Sequence, residues 1–167
     1  MLPGEEGLTQ AFDDFMIQTE SGQLDAEATS QGLFSYILTK RQRSEIKKVC
    51  NENQWVDPEE KGITLTKDYF EHVLKQRKVK DKVTAKDCST ILASAYSKKS
   101  KVAINKPRFK GDRERDQQAL IFNAEESIRV GNSNGLYGVA IIEISIKNLS
   151  PVTAYHATRP KVTAFGR

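Results

Sequence analysis

The sequence predicts an α+β fold in which N-terminal helices precede a four- to five-stranded antiparallel sheet. Apolar residues recur at helical spacing through the first half of the chain. From residue 101 onward, short β-branched and aromatic segments separated by turn residues replace that pattern. The gaps between the last segments are too short for crossover helices, which favours antiparallel pairing.

Helices are predicted where apolar side chains repeat every three to four residues. Pro58 and Gly62 interrupt this repeat, and Thr66 and Thr84 are the predicted N-caps of the two helices after the interruption. The predicted helices span residues 8–18, 24–39, 40–53 (either separate from the preceding helix or continuous with it), 66–79 and 84–96. Their predicted inward-facing residues include Phe70, Val73, Leu74, Ile91, Leu92 and Ala95.

The second half of the chain is predicted to contain five strands joined by tight turns. Residues 106–116 are highly charged and are predicted to form a loop. The predicted strands span residues 101–105, 119–124, 136–146, 152–158 and 161–165. The predicted turns within this part lie at 131–135, 148–151 and 159–160.

The net charge of +4 is distributed unevenly along the chain. Residues 1–39 contain no Lys or Arg and carry −7, so residues 40–167 carry +11. A portion this basic attracts polyanions such as nucleic acid, although a lysine-rich surface also serves solubility, and charge alone leaves both interpretations open. We expect neither a membrane span nor a signal peptide, since no apolar run of the required length is present.

The sequence predicts neither a metal site nor a cofactor. Cys50 and Cys88 are far apart and lack the clustered histidines of a metal site, so two separate thiols are favoured over a disulfide. The only dense acidic groups in the basic part are Glu125–Glu126 and those within 112–116, and they are adjacent or loop-borne. No nucleotide-binding glycine motif or nucleophile elbow occurs.

The two histidines are the candidate catalytic residues. His72 lies near the edge of the apolar stripe of its predicted helix, and His156 lies on a predicted strand. Strand alternation places Ala154, His156 and Thr158 on one face and Tyr155 on the other. Metal-free RNA cleavage needs a base for the 2′-OH, an acid for the departing 5′-oxygen and a cation for the phosphate. Histidine can serve as either acid or base at neutral pH.

The segments ITLTKDYFEHVLKQR and VTAYHATRPKVTAFGR, with the order of elements between them, carry a family resemblance. Over residues 62–167 the chain resembles the barnase–EndoU–colicin–RelE ribonuclease superfamily. It is most similar to the C-terminal toxin domains of contact-dependent growth-inhibition and other bacterial polymorphic toxins. The resemblance implies cleavage of RNA, often tRNA, without a metal, and neutralisation by a cognate acidic immunity protein that covers the active site.

The resemblance also assigns roles to single residues. His72 matches the helix-borne catalytic histidine, and His156 with Thr158 matches the polar pair on the late strand. The lysine that the EndoU branch requires is not uniquely placed, and Lys75, Lys101, Lys161 or the cationic substitute Arg77 could fill its role. The residues implied to bind substrate are Lys75, Arg77, Arg159 and Lys161, together with Tyr155, which alternation aims away from His156.

The sequence therefore predicts a metal-independent toxin ribonuclease that leaves a 2′,3′-cyclic phosphate, with the acid and base roles of the two histidines left open. Residues 1–55 are expected to be a helical segment that could be a remnant of the cell-entering region of the parent toxin, and residues 56–167 are expected to be the nuclease domain. The parent would be secreted or surface-borne, and the toxin would act in the target-cell cytoplasm. The alternatives are a non-catalytic nucleic-acid-binding module and an ADP-ribosyltransferase-like toxin using Glu143.

Overall fold

The computed structural model describes residues 4–21, 32–105, 118–145 and 148–164. It confirms the α+β class, since helices precede a five-stranded antiparallel sheet. The helices are α1 (Gly4–Ser21), α2 (Lys40–Asn53), α3 (Lys67–Asp81), α4 (Ala85–Ala95) and α5 (Arg159–Thr163). The strands are β1 (Gly32–Ile37), β2 (Gly62–Thr66), β3 (Lys101–Ile104), β4 (Ala119–Asn123), β5 (Ile128–Val130), β6 (Ser133–Ser145) and β7 (Asn148–Ala157).

Strand β6 is the centre of the five-stranded sheet. It pairs antiparallel with β4, β5 and β7, and β3 pairs with β4. The register of β6 against β7 shifts between Ile141 and Ile142, which leaves Val152 as the extra residue of a bulge. Strands β1 and β2 form a separate two-stranded antiparallel sheet.

The main core lies between one face of the five-stranded sheet, which we call the helix face, and helices α1, α3 and α4. Phe12 of α1 is fully buried, and its ring lies 6.1 Å from that of Phe70 and 6.0 Å from that of Tyr96. Ala140 and Ala154 line the helix face in the same cluster. Helix α1 therefore shares its core with the remainder of the chain, and the assignment of residues 1–55 to a parent toxin stays a prediction.

The opposite face of the sheet, which we call the outer face, carries a second and smaller cluster. Ile121, Val139 and Ile141 are buried there, and Val162 of α5 packs against them. The two faces follow from strand alternation, because neighbouring residues of β6 point to opposite sides. Helix α5 thus lies on the side of the sheet away from the other helices.

Most predicted helices are confirmed with their caps. Helix α2 spans the predicted 40–53, and α3 and α4 begin after Thr66 and Thr84, whose side chains accept hydrogen bonds from Tyr69 N and Asp87 N. The predicted inward-facing residues of α3 and α4 are buried. Local capping and helical periodicity were sufficient for these elements.

The predicted helix over 24–39 is wrong in its described part, because residues 32–37 form strand β1 (residues 24–31 lie outside the described residues). Tyr36 and Leu38 are buried while Ser35 and Ile37 are exposed, which is the period of two expected for a strand. Thr39 then caps α2, so the two segments are not continuous. Strands β2 and β5 were not predicted at all.

The predicted strand over 161–165 is also wrong. Residues 159–163 form α5, where Pro160 occupies the first turn and its fixed φ suits a helix start. The predicted turn at 148–151 belongs to β7, since Asn148, Leu149 and Ser150 pair with β6. The turn predicted at 131–135 is confined to Gly131 and Asn132, with φ of +60° at Gly131. The charged loop at 106–116 lies outside the described residues.

Both cysteines are buried free thiols, as the sequence favoured. Burial, with a smaller contribution from the Asp57 carboxylate, raises the pKa of Cys50 to about 11. Burial likewise raises the pKa of Cys88 to about 12. Neither thiol is a reactive nucleophile at neutral pH in these surroundings. Among the described residues, no helix is long and apolar enough to cross a bilayer.

Candidate active site

The two histidines lie at different places along helix α3: His72 is part of the helix, and His156 lies beside its last residue. His156 Nδ1 is 3.9 Å from Oδ2 of Asp81, the last residue of α3. His72 instead lines a groove with Asp68 in the first turn of α3 and with the start of β7. His72 and Asp81 are nine residues apart on α3, which is about 14 Å along the helix axis at the usual rise per residue. A single phosphate group at either place would therefore contact one histidine.

Helix α3 builds the surroundings of His156 from its own last turn. Arg77 and Asp81 are four residues apart and so share a helix face, and Arg77 Nη1 donates to Asp81 Oδ2 at 2.6 Å. Lys82 ends the helix in the left-handed conformation, with φ of 57°, and its N–H donates to the Arg77 carbonyl. We call His156, Asp81 and Arg77 the His156 corner.

The three side chains of the His156 corner are enclosed but not sealed. Their exposed fractions are 23% for His156, 24% for Asp81 and 11% for Arg77. Within the part of the chain that the structure describes, His156 Nδ1 and Arg77 Nε are buried and make no hydrogen bond. Since Nδ1 is buried, the ring edge that carries Nε2 is the one that reaches solvent.

This geometry gives the imidazole two distinct sides. Nδ1 faces the carboxylate of Asp81 at 3.9 Å, which orients the ring by its Nδ1 side. Nε2 is then the atom that can accept or donate a proton toward a ligand. Arg77 holds the Asp81 carboxylate in place through its hydrogen bond. The arrangement is that of a positioned general acid or base.

Four lysines lie on the same stretch of chain as Arg77 and Asp81. Lys75, Lys80 and Lys82 are exposed and have no acidic partner among the described residues, whereas Lys78 pairs with Glu20 at 2.5 Å. Lys80 and Lys82 flank Asp81 directly in sequence. We call Lys80 and Lys82 the lysine flank. It places positive charge next to the one proton-transfer group of the corner, as a phosphate site requires.

The surroundings of His72 are different. His72 is exposed and borders a groove of about 520 Å³, which we call the His72 groove. Among the described residues that line it there is no Lys or Arg, and Glu60 accepts a hydrogen bond from Leu149 N at its wall at 3.0 Å. Its other polar lining residues are Thr64, Thr66, Asp68, Tyr69, Asn148 and Ser150. Two carboxylates without a cation do not suit a phosphate.

The remaining predicted site residues have surroundings of their own. Thr158 is exposed at the N-cap of α5 and forms no capping hydrogen bond with its side chain. Tyr155 packs against the outer-face cluster, which confirms that it points away from His156, and Lys161 Nζ lies 4.7 Å from its ring centre. Arg159 lines a groove of the outer face.

Two further candidates have other surroundings. Lys101 Nζ, considered for the lysine of the EndoU branch, pairs with Glu125 at 3.1 Å. Glu143, considered for ADP-ribosyl transfer, lies on β6 opposite Ala119 and Ser150. Both are remote in the sheet from the His156 corner, since His156 pairs with Gly138.

Sequence reasoning missed Asp81, which supplies the partner of His156. The available signal was the i, i+4 spacing of Arg77 and Asp81 at the end of a predicted helix. That spacing predicts the ion pair but not the histidine, because Asp81 and His156 are brought together only by the packing of α3 on β7.

Comparison with family models, with curated proteins and with solved structures found no match. In the described ranges, no group of three or more His, Cys, Asp and Glu side chains is arranged to hold a metal ion.

Proposed function

We propose that this chain is a metal-independent endoribonuclease that cleaves tRNA or another structured RNA at the His156 corner. The observation that supports this most is the imidazole of His156, which has Nδ1 buried 3.9 Å from the Asp81 carboxylate and its other edge open to solvent. The lysine flank and the charge of +11 over residues 40–167 favour a polyanionic substrate.

In this proposal His156 Nε2 removes the proton of a ribose 2′-OH. The 2′-oxygen attacks the adjacent phosphorus, and the bond from phosphorus to the 5′-oxygen breaks. The imidazolium returns its proton to the departing 5′-oxygen, so the reaction leaves a 2′,3′-cyclic phosphate and a 5′-hydroxyl with no net proton change. Lys80 and Lys82 offset the charge that develops on the phosphate oxygens.

The paired-histidine form of the hypothesis gives His72 the role of the acid. The described lining of the His72 groove contains no lysine or arginine, which supports the form in which His156 serves as both base and acid. The resemblance to polymorphic toxins adds the biological part of the proposal. A secreted or surface-borne parent would deliver the domain to a target-cell cytoplasm, and an acidic immunity protein would cover the basic surface around His156.

The test is incubation of the purified chain with total tRNA in excess EDTA, followed by mapping of the RNA ends. We expect 2′,3′-cyclic phosphate ends, loss of cleavage by about 10²-fold or more in His156→Ala, and a change below about threefold in the matched variant His72→Ala. Thermal unfolding of both variants controls for folding. Intact tRNA with the wild-type chain would contradict the proposal, and salt-dependent binding without cleavage would identify a binding module instead.

A further inference from the structure

A groove of about 350 Å³ lies on the outer face of the sheet, beside helix α5. Its floor is apolar and consists of Ala103, Ile121 and Tyr137, which come from three neighbouring strands. Val162 of α5 forms one wall. The volume falls at the lower end of the range of about 300 to 1,000 Å³ that is usual for small-molecule sites. We call it the outer groove.

Two polar groups in the outer groove have no partner among the described residues. The Tyr137 side chain is 8% exposed, and its hydroxyl makes no hydrogen bond there and is not among the buried unpaired atoms. The hydroxyl therefore opens into the groove. Arg159 is exposed at the rim and forms no ion pair with a described acidic residue.

The other polar groups of the outer groove are already engaged. Lys101 pairs with Glu125 across the strand end at 3.1 Å. The Asn123 amide donates to the Gly138 carbonyl at 2.7 Å and accepts from Glu125 N at 2.9 Å. A ligand thus meets an apolar floor, one phenol hydroxyl and one guanidinium. This combination suits a planar ring that carries an anionic group.

We propose that the outer groove binds one nucleotide of the RNA substrate, with the base on the floor beside Tyr137 and the phosphate on Arg159. This inference rests on the proposed function and names a substrate subsite for it. Arg159 follows His156 by three residues, a distance of about 10 Å in extended chain, and β7 ends between them. A single strand of RNA that passes the end of β7 can contact both faces of the sheet.

The test uses nucleoside 5′-monophosphates as probes, titrated into the full chain up to about 10 mM with NMR detection. We expect saturable shifts at Ile121, Tyr137 and Arg159. The dissociation constant should rise at least tenfold in Arg159→Ala and severalfold in Tyr137→Phe, whose ring is kept. Lys48→Ala, an exposed cation of α2, is the control and should bind as the wild type does.

The outcomes separate the outer groove from the proposed function. His156→Ala should abolish cleavage and leave mononucleotide binding unchanged, which supports both. Cleavage by the wild type without shifts in the groove, or shifts that Arg159→Ala and Tyr137→Phe leave unaltered, would overturn the subsite alone. Binding in the groove by a chain that leaves RNA intact would overturn the ribonuclease and retain a nucleotide site.

Discussion

The His156 corner and the His72 groove present the same side chain in two opposite electrostatic surroundings. His156 has a carboxylate beside its buried nitrogen, and two exposed lysines flank that carboxylate in the sequence. His72 is exposed in a groove whose described lining residues include Asp68 and Glu60 but no cation. The sequence alone predicts both histidines as catalytic residues of a ribonuclease. The difference teaches that the neighbours brought by tertiary packing, and not the residue type, decide which histidine can act on a phosphate.

The largest expected effect concerns the packing that supports the His156 corner. Gly138 pairs with His156 across β6 and β7, and a Cβ on Gly138 would lie 2.5 Å from the Ile91 carbonyl oxygen and 2.8 Å from Ser94 Cβ. Gly138→Ala should therefore push α4 from the sheet and reduce the free energy of unfolding by about 3 kcal/mol. Chemical denaturation measures this loss.

Ser133→Ala, an exposed position on the same strand, is the control for Gly138→Ala and should stay within about 0.5 kcal/mol of the wild type. An alanine at residue 138 that leaves stability unchanged would show that α4 does not press on β6 at this point. The His72 groove lies at the other end of α3, so its lining residues should keep their NMR shifts in Gly138→Ala.

The second prediction compares the two carboxylates. Asp81→Asn removes the carboxylate that faces His156 Nδ1 and orients the ring, and we expect RNA cleavage to fall about 30-fold, equivalent to about 2 kcal/mol. Asp68→Asn makes the same change beside His72 and should alter cleavage less than twofold. Equal losses in both variants would remove the distinction between the two histidines.

The third prediction concerns the lysine flank. Replacing both Lys80 and Lys82 with alanine should weaken tRNA binding and lower the slope of log affinity against log salt by about 1 to 2, because each contacted phosphate releases counterions. The exposed pair Lys47 and Lys48 on α2 carries the matched control substitutions. A slope that falls equally in both double variants would place the RNA contact elsewhere.

The parts that the sequence predicted are those defined by local interactions. Helices α2, α3 and α4 follow from threonine caps and apolar periodicity, and Tyr155 follows from strand alternation. Strand β1 was missed because its apolar residues also fit a helical repeat, and pairing with β2 decides between the two. Helix α5 was missed because KVTAF is rich in β-formers, although Pro160 suits a helix start.

The site was predicted only in part, for the same reason. His156 and Arg77 could be named from their types and positions. The contact between Asp81 and His156 joins residues 75 positions apart, and it depends on how α3 lies across β7. Sequence periodicity places each side chain on a face of its own element, but it does not define which faces meet.

The smallest expected effect concerns Asp13, which lies outside both histidine regions, and it is an effect on the free energy of unfolding. Asp13 of α1 accepts hydrogen bonds from Lys86 Nζ, at 2.7 Å, and from the Ser89 hydroxyl of α4. Burial acts to raise the pKa of Asp13, but these hydrogen bonds and the Lys86 charge outweigh it and hold the pKa below its ordinary value of 3.8. A carboxyl group whose pKa is lowered in the folded state stabilises the fold at pH values above its ordinary pKa. This contribution is lost as the pH falls through the folded-state pKa.

Asp13→Asn should therefore lower the free energy of unfolding by about 1 kcal/mol at pH 7, and the difference from wild type should shrink as the pH drops below 3.8. Asp14→Asn is the control, because Asp14 is exposed and should stay within about 0.5 kcal/mol at either pH. Asp13 lies on α1, outside both histidine regions. At a temperature where Asp13→Asn is folded, its rate of tRNA cleavage should therefore equal that of the wild type. A lower rate would show that the His156 corner depends on how α1 docks.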